Sequence, residues 1–164
     1  MNAGTQSGAM SDIVESVTVL NPKSYTVKRL EAREIQFGYR TSHIRGIVIG
    51  AALNLTPGDP DRINSTIRKN LDSRHKTQPM GVASAGCFFK NPETGKSAGQ
   101  LIDNAGLKGL RINAAQVSKL HANYIVNLNK ASFDDIFMLK QKVAKTVFDK
   151  FDIKLQEEVK IEGE

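Results

Sequence analysis

The sequence is poor in cysteine, tryptophan and long apolar segments. One of its 164 residues is cysteine, Cys87, and none is tryptophan. A single thiol excludes an internal disulfide, and no Cys/His pairs stand at the spacing of a zinc site, so we expect no metal centre. The longest apolar run, from Ile47 to Leu53, falls short of the roughly 20 residues that a membrane helix needs. A membrane span is therefore excluded.

The first ten residues have neither a basic start nor an apolar core, so they do not form a secretory signal, and we expect a cytoplasmic protein. A composition of 40% hydrophobic and 24% charged residues is typical of a globular domain. The net charge of +6 is spread along the chain and suits either nucleic acid or a phosphorylated metabolite. Residues that stack on bases are scarce and no nucleic-acid-binding motif is present, so we expect no nucleic-acid partner.

The first third of the sequence is rich in β-branched residues. Residues 12–55 predict strands, beginning with a hairpin whose turn lies at 21–24. The apolar segment 46–55 predicts a further strand with both faces covered. The turn-forming run from Thr56 to Pro60 then interrupts the pattern and predicts a domain boundary, with a helix that begins near Asp61.

The remaining two thirds alternate between helical and extended patterns. The apolar spacing after Ser132, together with Asp135 three residues later, predicts the longest helix. The whole pattern is that of an α+β protein without internal repeats. The other predicted elements are an ordered loop at 81–94, a short helix at 97–105 that ends at Gly106, a strand at 124–128 and a terminal strand at 155–161.

Four residues stand out as candidates for chemistry. Segment 85–92 combines the Cys87 thiol with two aromatics, a cation and an amide, a mixture typical of functional loops, although a free cysteine is more often a buried packing residue. Arg40 follows an aromatic residue, which suits the binding of an anion or a surface salt bridge. Taken alone, His121 indicates a structural histidine and Glu158 a solvated carboxylate. Glycine-rich phosphate loops of the Walker or dinucleotide type are missing.

A series of short segments carries a more specific signal. The segments are Met1-Asn2-Ala3-Gly4, Phe37-Gly38-Tyr39-Arg40-Thr41-Ser42, Thr77-Gln78-Pro79, Ser84-Ala85-Gly86-Cys87-Phe88-Phe89-Lys90-Asn91-Pro92, Ala98-Gly99-Gln100-Leu101-Ile102, Gly106-Leu107-Lys108-Gly109, Ala115-Gln116-Val117-Ser118, His121-Ala122-Asn123-Tyr124-Ile125-Val126-Asn127 and Glu158-Val159. In this order, along nearly the whole chain, they resemble the flavoenzyme family of UDP-N-acetylenolpyruvoylglucosamine reductase, the MurB family. Each segment alone is a weak signal, but the ordered series is a strong one.

The resemblance implies an α+β fold in two parts. Residues 1–55 would be the C-terminal part of the FAD-binding domain, and residues 56–164 the substrate-binding domain, a sheet with helices packed on it. The family has roughly a further hundred residues before this point, the length of one ordinary domain, and they hold most of the FAD site. A missing N-terminal FAD-binding half is therefore an expected partner. The short distance between Ser42 and Pro57 resembles the subgroup that lacks an extra loop.

The resemblance also implies an activity. NADPH would reduce FAD, and the flavin would then deliver hydride to the enolpyruvyl group of UDP-N-acetylglucosamine enolpyruvate, which yields UDP-N-acetylmuramate for peptidoglycan. By family position, Cys87 would protonate the carbanion that results. Arg40 would pair with the substrate carboxylate and Glu158 would polarise or protonate the intermediate.

Further site residues follow from family position alone. Asn113 and Ala114 stand where relatives favour glycine. An alternative to the enzyme is a non-catalytic truncated fragment that binds a UDP-sugar or a partner chain. The implied substrate-binding residues are Tyr39, Lys76, Asn91 and His121, and the implied cofactor-binding residues are Asn2, Ala3 and Gly4.

Overall fold

The computed structural model describes residues 1–5, 7–93 and 95–162. The chain divides into two compact units, Met1–Asp59 and the residues from Pro60 onward. The chain combines helices with sheets whose strands pair antiparallel, which confirms the predicted α+β class. No described helix is both long and apolar enough to cross a membrane. Residues 163 and 164, the end of the predicted second domain, lie outside the described residues.

The first unit is built on a three-stranded antiparallel sheet. The predicted hairpin is confirmed, because Leu20 pairs with Val27 and the Asn21 side chain accepts a hydrogen bond from the Lys23 amide (2.9 Å) inside the turn. The strands are β1 (Gly4–Thr5), β2 (Gly8–Ala9), β3 (Val14–Leu20), β4 (Val27–Glu31) and β5 (Ile47–Leu53), with 3₁₀ turns at Met10–Asp12 and Ala32–Glu34. The order of the strands in the three-stranded sheet is β4–β3–β5.

Strand β5 corrects one expectation from the sequence. It forms where the apolar run predicts it, but Ile47, Val48 and Ile49 are 53%, 50% and 53% exposed, so the prediction that both faces are covered is wrong. An apolar run shows that burial would be favourable, but it does not provide the layer that covers it. β5 is an edge strand of a unit whose buried hydrophobic cluster holds only Val17, Val19 and Ile35 among the described residues.

The second unit packs two helices on a four-stranded antiparallel sheet, in which Tyr124–Asn127 and Ala115–Val117 are the inner strands and Ala83–Cys87 and Arg111–Ile112 are the edges. Leu139, Val143 and Val147 of the longest helix are at most 1% exposed and belong to one core cluster with residues of the shorter helix and of the sheet. Their spacing of four residues forms one helical face. The elements are α1 (Pro60–Thr77), β6 (Ala83–Cys87), α2 (Ala98–Asn104), β7 (Arg111–Ile112), β8 (Ala115–Val117), β9 (Tyr124–Asn127) and α3 (Phe133–Phe151).

Two predictions about strands and loops in this unit are wrong. The segment predicted as an ordered loop contains strand β6, whose register shifts between Ser84 and Cys87 and whose Gly86 has φ +85°, so the alternation typical of a strand is missing. Thr94, at the end of that predicted loop, lies outside the described residues. The predicted terminal strand is reduced to a single bridge between Phe89 and Glu157. Strands β7 and β8 are too short to leave a periodic signal.

Helix α3 begins at the predicted cap. The Ser132 hydroxyl accepts a hydrogen bond from the Asp135 amide (3.1 Å), and the Asp135 carboxylate accepts one from the Ser132 amide (3.0 Å). The same carboxylate accepts from the Asn113 side chain (2.8 Å), so it ties the β7–β8 turn to the helix. Asn113 has φ +47°, a conformation that asparagine tolerates better than most residues and that fits a position where relatives favour glycine.

Asp135 gives the second unit an acid-sensitive contact. Hydrogen bonds, the largest from Asn113 and the next from the Ser132 backbone, lower the pKa of this buried carboxyl. The ionised contact stabilises the fold above the unfolded-state pKa of about 3.9 and is lost as the pH falls through the lowered folded-state pKa. We expect Asp135→Asn to be less stable than the wild type at pH 7 and to lose less stability on acidification, measured as urea midpoints across that range.

Asp134 provides the matched control for this prediction. It occupies the same first turn of α3 but is exposed. Asp134→Asn should keep the acid dependence of the wild type. Equal acid dependence in the wild type and both variants would contradict a stabilising role for the Asp135 carboxylate.

Candidate active site

The segment that carries Cys87 is held in place by Asn123. The Asn123 side chain is 3% exposed; its oxygen accepts from the Phe89 amide (2.9 Å) and its nitrogen donates to the Phe89 carbonyl (2.8 Å). Its backbone carbonyl accepts from the Phe88 amide (2.7 Å). Both phenylalanine side chains are buried. The chain immediately after Cys87 is therefore fixed by three hydrogen bonds to one residue and by two buried rings.

The C-terminal tail runs beside the same segment. The Glu158 amide donates to the Phe88 carbonyl (2.8 Å), and the Lys90 amide donates to the Gln156 carbonyl (2.7 Å). The Glu157 carboxylate pairs with the largely buried ammonium group of Lys140 on α3 (2.7 Å). Since Phe88 follows Cys87 directly, this pairing places Glu158 next to the residue that carries the thiol. The structure thus brings together two of the three predicted catalytic residues.

Tyr124 is a neighbour of Cys87 that the sequence reasoning did not single out. It pairs with Cys87 across strands β6 and β9, which places the two side chains on one face of the sheet, and its phenol lies close enough to interact with the thiol. Burial raises the pKa of Tyr124, and the Cys87 charge and hydrogen bond and the Glu158 charge raise it further, while Arg74 lowers it. The signal that could have identified Tyr124 is its register opposite Cys87, which is visible only once β6 is recognised as a strand.

His121 lies against Tyr124 as a neutral ring. The two ring centroids are 4.9 Å apart in an edge-on contact, and His121 Nδ1 accepts from the Asn123 amide (3.2 Å). Burial lowers the His121 pKa. A backbone hydrogen bond opposes this with a smaller effect than that of burial, and nearby Lys108 lowers the pKa further. Because Nδ1 accepts a hydrogen bond, the proton of the neutral ring lies on Nε2, which leaves that atom as a donor.

Asn91 and Lys76 occupy different settings within the second unit. The Asn91 side-chain oxygen accepts from the amide of Ala98, the first residue of α2 (3.0 Å), and so anchors the loop to that helix. Lys76 lies exposed in the last turn of α1, with Arg74 and a histidine. Their substrate-binding roles stay predictions.

The first unit gathers the other predicted residues. Arg40, with φ +56°, donates from Nη1 to the Gly4 carbonyl (3.1 Å), and its guanidinium carbon lies 5.2 Å from the centre of the Tyr39 ring. The Asn2 side chain donates to the Gly38 carbonyl (3.3 Å). The implied cofactor-binding residues therefore lie beside the implied carboxylate-binding arginine.

Residues 2–4 are suited to form part of the wall of a cofactor site. The Asn2 side chain and the carbonyls of Ala3 and Gly4 already accept or donate hydrogen bonds within the unit. A Cβ atom at Gly4 would lie 3.4 Å from Arg40 Nη1, an ordinary van der Waals contact, so Gly4 and the guanidinium are direct neighbours. In the described part of the chain, no group of three or more His, Cys, Asp or Glu side chains is arranged to hold a metal ion.

Comparison with known proteins confirms the resemblance. Residues 78–162 match the family model of the UDP-N-acetylenolpyruvoylglucosamine reductase C-terminal domain. The reductase of that name from Desulfosudis oleivorans is 38% identical over 173 residues, an alignment that covers all of this chain and 55% of the relative. The reductase from Lactiplantibacillus plantarum is 42% identical over 167 residues, with the same two coverages.

A solved structure gives the same result. The UDP-N-acetylenolpyruvylglucosamine reductase (MurB) from Thermus caldophilus matches with a TM-score of 0.85 and 39% identity over 98% of this chain and 57% of that chain. The chain thus spans about half the length of the curated relatives it matches. On this sequence and structural similarity, the chain belongs to the UDP-N-acetylenolpyruvoylglucosamine reductase (MurB) family, and residues 78–162 correspond to its C-terminal domain.

Proposed function

We propose that this chain is the substrate-binding and proton-donating part of a cytoplasmic reductase that converts UDP-N-acetylglucosamine enolpyruvate to UDP-N-acetylmuramate for peptidoglycan. The observation that supports it most directly is the juxtaposition of Cys87, Tyr124 and Glu158 at the end of β6. Residues 1–55 would complete an FAD-binding domain whose N-terminal half lies outside this chain. FAD, reduced by NADPH, would supply the hydride, with residues 2–4 forming part of its wall.

Cys87 is the proton donor in this proposal. Once hydride has reached one carbon of the enolpyruvyl double bond, the neighbouring carbon carries the electron pair and needs a proton. The S–H bond of Cys87 breaks as the new C–H bond forms, the sulfur keeps its electron pair as a thiolate, and solvent returns the proton later. A thiol with an ordinary pKa of about 8.5 is protonated at neutral pH, yet it is a much stronger acid than an alcohol.

The other residues bind the substrate and stabilise its charge. Arg40, oriented by the Gly4 carbonyl and the Tyr39 ring, would pair with the substrate carboxylate and so favour the enolate-like intermediate. Glu158, beside the thiol, would polarise the same intermediate. The remaining binding residues would be Tyr39, Lys76, Asn91 and His121, the last through its Nε2 proton, against the phosphates and the sugar.

A second candidate is a non-catalytic fragment that binds a UDP-sugar or a partner chain. The exposed apolar side chains of β5 favour it, because they offer a surface for association. The two candidates predict different behaviour of a bound flavin, since only the reductase passes electrons from a reduced flavin to the substrate.

Flavin absorbance separates the two candidates. The test protein is a completed enzyme, in which this chain is joined to the N-terminal part of the Lactiplantibacillus plantarum relative. With FAD bound, we expect NADPH to bleach the visible flavin band and the enolpyruvyl substrate to restore it under anaerobic conditions. A band that bleaches and does not recover would reject the reductase proposal. This chain alone, titrated with the substrate by calorimetry, shows whether it binds the substrate without the N-terminal half of the FAD-binding domain.

A further inference from the structure

We propose that Tyr124, the residue paired with Cys87 across the sheet, is a positioning residue that strengthens Cys87 as an acid: its hydroxyl would donate a hydrogen bond to the sulfur and stabilise the thiolate left when the proton departs. This inference rests on the proposed function, in which Cys87 is the proton donor. It assigns to the tyrosine hydroxyl a role beyond packing, in a position that the family resemblance did not single out.

The pairing of the two residues is fixed by the sheet. Cys87 and Tyr124 are direct partners in the antiparallel β6–β9 ladder, where the Cβ atoms of opposed residues lie about 4.5–5.5 Å apart on one face. The irregularity at Gly86 re-aims the end of β6, as bulges next to active sites do. The Phe88 amide bonds to the Asn123 carbonyl immediately beside the pair, which prevents the register from slipping.

In this proposal the tyrosine hydroxyl is the donor and the sulfur the acceptor. The charged and titratable groups that face it are Cys87 on β6, Arg74 on α1, Glu158 on the tail and His121 before β9. Burial and the Cys87 charge hold the phenol pKa above its ordinary value, so the phenol keeps its proton while the thiol ionises. His121 is neutral over the same range because burial lowers its pKa. A neutral hydroxyl that donates to an anionic sulfur forms a charge-assisted hydrogen bond, which favours the thiolate.

The substitution Tyr124→Phe isolates the hydroxyl. Phenylalanine keeps the ring that packs edge-on against His121, and it keeps the strand backbone. The variant therefore removes the donor while the half-buried ring remains in place.

The test is the pH dependence of Cys87 alkylation by iodoacetamide in this chain. Cys87 is the sole cysteine, so the rate reports on one thiol. We expect the pH midpoint of the alkylation rate to rise by about one pKa unit in Tyr124→Phe, because the thiolate loses one charge-assisted hydrogen bond. At neutral pH alkylation should slow by about threefold, since a thiolate of higher pKa is also a better nucleophile. Tyr25→Phe, at an 80% exposed tyrosine of the first unit, should leave the midpoint unchanged.

An unchanged or lower midpoint in folded Tyr124→Phe would overturn the inference. If that variant does not fold, the reciprocal measurement decides, because coupled groups shift each other equally. Cys87→Ala should lower the phenol pKa of Tyr124, followed by NMR of tyrosines labelled with ¹³C at Cζ, and an unchanged phenol pKa would reject the coupling. Neither readout requires turnover. Failure of the proposed function would appear instead as a reduced flavin that the substrate does not reoxidise.

Discussion

Cys87→Ala is expected to stop product formation while NADPH still reduces the flavin of the completed enzyme. In the proposed function, the variant removes the proton donor of the second half-reaction and leaves the first untouched. General acid catalysis contributes about 10²- to 10⁴-fold to rates, so reoxidation of the reduced flavin by the enolpyruvyl substrate should slow by that factor. Stopped-flow absorbance of the flavin, with the two half-reactions measured separately, makes the comparison.

Cys87→Ser is the matched control. Serine retains a transferable proton on a weaker acid, so its reoxidation rate should lie between those of the wild type and Cys87→Ala. If Cys87→Ala reoxidises at the wild-type rate, Cys87 has no part in the chemistry. A slowing of flavin reduction by NADPH in Cys87→Ala would instead indicate damage to the cofactor site.

Asn123→Ala is expected to destabilise the second unit by about 2–6 kcal/mol. It would leave the amide and the carbonyl of Phe89 without partners, and each buried unsatisfied group costs about 1–3 kcal/mol. Phe89 is 2% exposed, so water cannot easily replace the lost bonds. The measurement is the free energy of unfolding in urea, followed by a signal from the second unit.

Asn127→Ala provides the comparison on the same strand. The Asn127 side chain accepts one hydrogen bond, from the Ala131 amide (2.9 Å), at a partly buried position. Its loss should cost about 1 kcal/mol, the typical contribution of one hydrogen bond. If the two alanine variants lost the same stability, Asn123 would not be the clamp that the geometry indicates.

Local sequence signals predicted the elements that depend on local interactions. The hairpin turn at Asn21, the cap at Ser132 and the left-handed Gly106 all depend on contacts within a few residues, and the structure has all three. The exposure of β5 could not be predicted, because burial depends on what covers a strand and not on the strand itself. Strand β6 was missed because Ala83-Ser84-Ala85-Gly86 lacks the β-branched residues that predict strands.

The candidate site was predictable as a set of residues but not as an arrangement. The family resemblance indicated Cys87 and Glu158, and the structure places them side by side through the tail. It could not indicate Tyr124, because the pairing of that residue with Cys87 depends on the register between two strands far apart in sequence.

The attachment of the tail couples the position of Glu158 to the core of the second unit. Residues 156–159 join Phe88 and Lys90 through three backbone hydrogen bonds, and Glu157 pairs with Lys140 of α3. Apolar contacts anchor the tail on both sides of Glu158, because Leu155 belongs to the buried core cluster and Val159 packs against it. Close-packed interiors transmit strain, so a substitution that disturbs this core would also move Glu158 relative to Cys87. Packing of the second unit and the geometry of the candidate site therefore change together.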